Sequence, residues 1–182
     1  LIMANQCVGS KTSFSHLVKK SQSPYLMFCD QDDVWFPEKI EMQCEALYAL
    51  EVKAGVKTPL LVHTDLALVD EYKNLLSPSF WDYRGFDIGQ RKQAYLLNNT
   101  VTGCATIFNR SAANLAFPLP PEALQHDRWL ALVCAWFGQI EALHHPTILY
   151  RQHGNNAIGA MVDIERADIA QRIKGWSAQA TA

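Results

Sequence analysis

The chain has 182 residues, 49% hydrophobic and 19% charged, with a formal net charge of −2. That composition suits one globular domain with its own core, and argues against disorder, a nucleic-acid footprint or, with no apolar run of roughly 18 to 20 residues, a membrane span. The five cysteines are scattered, odd in number and without a CxxC pair, as expected of reduced thiols in a cytosolic protein.

In chain order, Phe14, Leu17 and Val18 at helical spacing predict a helix over 10–20, stopped by the Ser-rich stretch that ends in Pro24. A strand-length apolar run over 25–29 then delivers Asp30, Asp32 and Asp33 before a helix over 37–50, whose buried face should carry Ile40, Cys44, Leu47 and Tyr48. A second strand covers 60–70. Residues 73–91, rich in aromatic residues and without a period, predict an irregular loop or lid. There follow a short helix over 93–98, a strand over 101–108, a stiff connector with Pro118, Pro120 and Pro121, and a helix over 126–137 ended by Gly138. Two short strands flank Pro146, and a helical tail occupies 161–182. With no repeat or internal boundary, residues 1–182 read as a single α/β domain.

The acidic cluster is the strongest chemical signal. Three carboxylates within four positions repel one another, and a divalent cation with oxygen ligands, Mg²⁺ or Mn²⁺, is the usual relief. In an extended chain Asp30 and Asp32 project to the same side while Asp33 points elsewhere, where it suits the N-cap of the following helix. Asp65 lies at the carboxyl end of its strand, where α/β sheets gather ligands. His126 and Asp127 open a helix, as first-turn acid or as general base. Arg151 and His153 sit where a strand runs into a Gly/Asn-rich loop, and suit diphosphate oxygens, with His also able to bind metal. The grouping of His63 and Asp65 with a later His is a weak metal pattern, and His144 with His145 reads as a turn pair before Pro146.

Taken in order, FCDQDDVWFPEKI, NNTVTGC, HDRWLALV and LYRQHGNNAIGA resemble the rhamnosyltransferase-like branch of the family-2 glycosyltransferases. The resemblance implies a GT-A fold with a mixed central sheet flanked by helices, and a metal-dependent, inverting transfer of a sugar from a nucleotide-diphosphate sugar to a saccharide or lipid-linked acceptor. It places Asp30 and Asp32 as the DxD element, with Asp30, Asp32 and His153 on the metal and Asp30, Arg151 and His153 on the nucleotide diphosphate. Asp127 becomes the catalytic base. Asp33, Trp35, Thr102, Gly103, Cys104 and His126 fall to the substrate pocket. Surface polysaccharide synthesis in the cytoplasm, at the inner face of the membrane for a lipid-linked acceptor, is the setting it implies.

Family members begin with nucleotide-binding strands that nothing before Asn5 matches, so by the resemblance the chain is the C-terminal two-thirds of such a domain, with feeble transfer expected from it alone. Two other readings of the same residues stand beside this one. Asp30-x-Asp32 after an apolar strand also fits a haloacid-dehalogenase-like, Mg²⁺-dependent phosphatase, with Asp30 as nucleophile. A non-catalytic fragment could instead self-associate as a homo-oligomer, covering the sheet edge that missing strands would expose.

Overall fold

The computed structural model of the chain describes residues 8–89 and 91–153. The tail expected over 161–182 and the end of the last motif lie outside the described residues. An α/β architecture is observed, with strands β1 (Tyr25–Met27), β2 (Val34–Trp35), β3 (Leu60–Val69), β4 (Leu75–Ser77), β5 (Thr106–Asn109) and β6 (Gln139–Arg151). The helices are α1 (Gly9–Lys20), α2 (Lys39–Ala54), α3 (Phe80–Arg84), α4 (Arg110–Ala116) and α5 (His126–Phe137). The strands form one mixed sheet in the order β1-β5-β3-β6-β2, with β4 also paired to β3. Only β3 and β6 run parallel among these pairings.

β3 is the spine of the sheet because its ten residues are buried throughout, which a near-continuous apolar run permits. The period of two splits its side chains between layers. Leu60 and Val62 pack with Ile107 against Leu47 and Leu50 of α2, whereas Leu61 and Phe108 pack with α1, α4 and α5. At its carboxyl end Leu66 and Leu68 join Phe80 and Trp81 of α3.

Several expectations are corrected. The buried face of α2 carries Lys39, Gln43, Leu47 and Leu50, while Ile40 and Tyr48 are exposed. Polar groups take the inward stripe because they bond to one another beneath the sheet: Lys39 Nζ donates to Gln43 Oε1 at 2.8 Å, and Gln43 Nε2 to the carbonyl of Ala105 at 2.7 Å. Pro146 does not divide two strands. β6 runs through it, with a register shift opposite Asp65 that accommodates the missing N–H. Residues 73–91 contain β4 and α3, the latter capped by Ser79, whose hydroxyl accepts from Asp82 N at 3.0 Å, and closed by Gly85 at φ 60°. The strand expected over 101–108 begins only at Thr106, after a 3₁₀ turn at Gly103–Ala105.

Asp65 is spent on structure. Its Oδ1 accepts the N–H groups of Leu66, Phe80 and Trp81 at 2.8, 3.1 and 3.1 Å, so it holds the start of α3 rather than a ligand. Asn109 does the same for α4, its Oδ1 accepting Ala112 N at 3.0 Å. No helix of the described residues is long and apolar enough to cross a membrane.

Candidate functional site

The chain leaves β1 at Met27 and turns at Gln31 and Asp32 before entering β2. That turn decides which carboxylates meet. Asp30 and Asp33, not Asp30 and Asp32, converge, and together with the Cys104 thiol they offer ligand atoms all within 4.8 Å of one another. Strand alternation does not apply across a turn, so the same-side projection expected of Asp30 and Asp32 is lost. Asp32 swings away to His153, whose Nε2 lies 2.7 Å from Asp32 Oδ2. Nor does Asp33 cap α2: the residue at the N-cap is Glu38, without a side-chain bond. Instead Asp33 Oδ1 accepts the backbone N–H of Arg151 at 3.3 Å, joining the acidic turn to the end of β6, and Asp33 Oδ2 is buried without a hydrogen-bond partner.

Burial and mutual repulsion govern the charges. Burial pushes the Asp33 carboxyl up to about 6, only partly offset by the Cys104 thiol and the Arg151 N–H. Asp30 is raised as well, by burial and then by the charges of Asp32 and Asp127. The fully buried Cys104 thiol is pushed well above its ordinary value by burial, with Asp33 and Asp30 adding to it. Beneath them Lys39 is held down to about 8 by burial, opposed by the charges of Cys104, Cys29 and Asp33, and its ammonium lies 4.8 Å over the ring of Trp35.

A cavity of about 500 Å³ opens above the cluster, lined on one side by Asp30, Asp32 and His153 and on the other by Thr102, Gly103, His126 and Asp127. Asp127 stands in the first turn of α5. Its Oδ2 accepts Gly103 N at 3.1 Å and its Oδ1 accepts Arg128 N at 2.6 Å, leaving the carboxylate fixed and facing the cavity. The ring of His126 is wedged between Phe14 and Phe28, with centroids 4.4 and 4.7 Å away, and burial lowers its pKa against the pull of Asp127. The third wall is aromatic and basic: Phe80, Phe86, Tyr150 and Arg84, whose guanidinium carbon stands 5.7 Å from the Phe80 ring and 5.2 Å from the Phe86 ring.

The acidic turn, Thr102-Gly103, His126-Asp127 and His153 therefore meet at one cavity. No family model and no curated protein matches the chain. Asp33, Trp35, Cys104 and Arg151 are absent from the cavity wall; Asp33 and Cys104 keep their ligand atoms within 4.8 Å of that of Asp30, and Trp35 covers Lys39. The motif reading missed Arg84 and Lys39. Ser79 and Gly85 are the punctuation that announces the helix bearing Arg84, whereas a lysine in line with Leu47 gives no sign that it turns inward.

A metal ion would find two carboxylates and a thiol within reach of one another, one carboxylate oxygen being buried and unpaired. That donor set fits a divalent cation, and the sulfur favours Mn²⁺ or a softer ion over Mg²⁺.

Proposed function

We propose that the cavity is the donor and acceptor site of a metal-dependent, inverting glycosyltransferase of GT-A type, acting on a nucleotide-diphosphate sugar. The observation that carries this reading is the meeting of Asp127, fixed by two backbone N–H groups, with Asp30 at one cavity, the ligand atoms of Asp33 and Cys104 lying off its wall but within 4.8 Å of that of Asp30.

In this reading an acceptor hydroxyl enters between Thr102 and Asp127. Its oxygen attacks the anomeric carbon, the bond from that carbon to the diphosphate oxygen breaks on the opposite face, and the hydroxyl proton passes to Asp127. The two backbone N–H groups that fix Asp127 keep it aimed, so the base is ready without reorganisation. Negative charge gathers on the departing diphosphate, where the Arg84 guanidinium and the His153 ring stand on the cavity wall away from α5. Asp30, Asp33 and Cys104 would hold the metal, which when bound neutralises diphosphate oxygens. The aromatic wall of Phe80, Phe86 and Tyr150 offers apolar faces to a sugar ring and restricts water.

Thermal shift with Mn²⁺ and a panel of uridine, thymidine and guanosine diphosphates tests the donor half. At least one diphosphate should raise the melting temperature, and Asp30→Asn should abolish the rise. No shift with any of them would refute the reading. Transfer from the matching sugar nucleotide to an added saccharide, lost in Asp127→Asn while diphosphate binding survives, tests the acceptor half.

A further inference from the structure

The 3₁₀ turn Lys92–Leu96 lies along α5, pinned at both ends: Arg128 donates to the Leu96 carbonyl at 2.7 Å, and the Lys92 ammonium stands 4.9 Å over the Trp136 ring. The face that these two pins define exposes large apolar side chains, with Leu97 at 88%, Leu96 at 52%, Trp136 at 44% and Phe137 at 68% of full exposure. Its charged side chains include Arg91, Lys92 and Arg128. No acidic residue occurs from Ile88 to Pro121 or from Arg128 to Ile140, and the adjoining Asp127 carboxylate is turned to the cavity by the N–H groups of Gly103 and Arg128, so these stretches are basic in a chain whose net charge is −2.

We propose that this face lays the protein on an anionic lipid bilayer. Leu97, Leu96 and Phe137 would enter the boundary of headgroups and acyl chains, Trp136 would sit at headgroup depth, and Arg91, Lys92 and Arg128 would meet lipid phosphates. Charge decides against the competing occupants. A second copy packed face to face would set Lys92 and Arg128 against their own counterparts, as an isologous contact brings like patches together. The exposed apolar stripe on α2, Tyr48 and Val52, is interleaved with Glu41, Glu45 and Glu51 and so is disfavoured at an anionic surface. The basic face adjoins the cavity mouth, since Arg128 belongs to both. The inference does not rest on the transferase reading.

Flotation of the full chain with vesicles of phosphatidylcholine alone and of phosphatidylcholine with 30% phosphatidylglycerol tests it, at about that anionic fraction to give a usable surface potential. Binding to the anionic vesicles should be at least about tenfold stronger and should weaken with salt. Arg91→Glu with Lys92→Glu should lower it by about tenfold or more, Leu97→Ser should also lower it, and Tyr48→Ser with Val52→Ser should leave it unchanged. Equal binding to both vesicles, no binding, or full binding by the charge-reversed variant would each overturn the inference. So would light scattering that shows a dimer broken by Leu97→Ser together with absent vesicle binding.

Discussion

The backbone N–H of Gly103 donates to Oδ2 of Asp127 at 3.1 Å, so the turn before β5 and the first turn of α5 hold one another at the cavity floor. This contact requires glycine. A Cβ at position 103 would lie 2.8 Å from His126 Nε2 and 3.4 Å from Asp127 Cβ. His126 cannot give way easily, because Phe14 and Phe28 hold its ring from two directions. Gly103→Ala should therefore cost about 1 to 3 kcal/mol in urea unfolding, the usual penalty for overpacking. Where transfer is measurable, the rate should fall about a hundredfold through the displaced Asp127. A variant as stable as the parent would show that the turn yields.

The ligand cluster makes metal binding proton-coupled. Asp33 is raised to about 6 and Asp30 is raised by burial first, so a cation arriving near neutrality meets ionised carboxylates that repel one another and, below pH 6, must displace a proton from Asp33. Stabilisation by Mn²⁺ should be clear in thermal shift at pH 7.5 and small at pH 5. Asp33→Asn should remove most of it, and Cys104→Ser should narrow the preference for Mn²⁺ over Mg²⁺. An equal Mn²⁺ shift at both pH values would speak against a site at Asp33.

Much of this arrangement can be read in the residues themselves. The apolar run that becomes β3 and the helix opened by His126 follow from hydropathy and punctuation, and the meeting of the acidic turn with Asp127 is what the resemblance carried by the motif order implies. The partners within the cluster do not, because the reversal at Gln31 and Asp32 replaces strand alternation, and it is set by the Arg151 N–H bonded to Asp33 from far along the chain. Lys39 and Gln43 were illegible for a related reason. Hydropathy sends them outward, and only the tertiary acceptors Ala105 O and the Trp35 ring make their burial tolerable.

Asp33 should also destabilise the empty protein at neutral pH. Its folded pKa of about 6 exceeds the ordinary 3.8, so between those values the folded state holds more protons than the unfolded one. Its contribution to stability therefore falls as pH rises across that window and stays low above it. Asp33→Asn removes the buried charge and keeps the acceptor for Arg151 N–H. At pH 7.5 without metal the variant should unfold at higher urea than the parent, while losing Mn²⁺ stabilisation. A lower midpoint would mean that the carboxylate is better compensated, by Lys39 in particular, than its burial suggests.

His63 bends the same profile the other way. It is buried in the middle of β3, its ring centroid 5.2 Å from that of Trp81, with Nδ1 lacking a partner. Burial first, and then the charge of His144, lower its pKa from 6.5 to about 4. Above the unfolded value both states are neutral, and His63 costs nothing through its charge. As pH falls from 6.5 to 4 the unfolded chain takes up the proton and the folded one does not, so stability declines by an amount on the order of 3 kcal/mol, the free energy of that shift. In the parent this decline is masked by the opposite slope of Asp33 over the lower part of the range. Urea titrations from pH 4 to 6.5 should separate them: Asp33→Asn should lose stability steeply on acidification, and His63→Leu should show stability rising as pH is lowered from 6 to 4. If His63→Leu leaves the profile unchanged, the imidazole takes up its proton in the folded state as readily as in the unfolded chain, and burial does not lower its pKa.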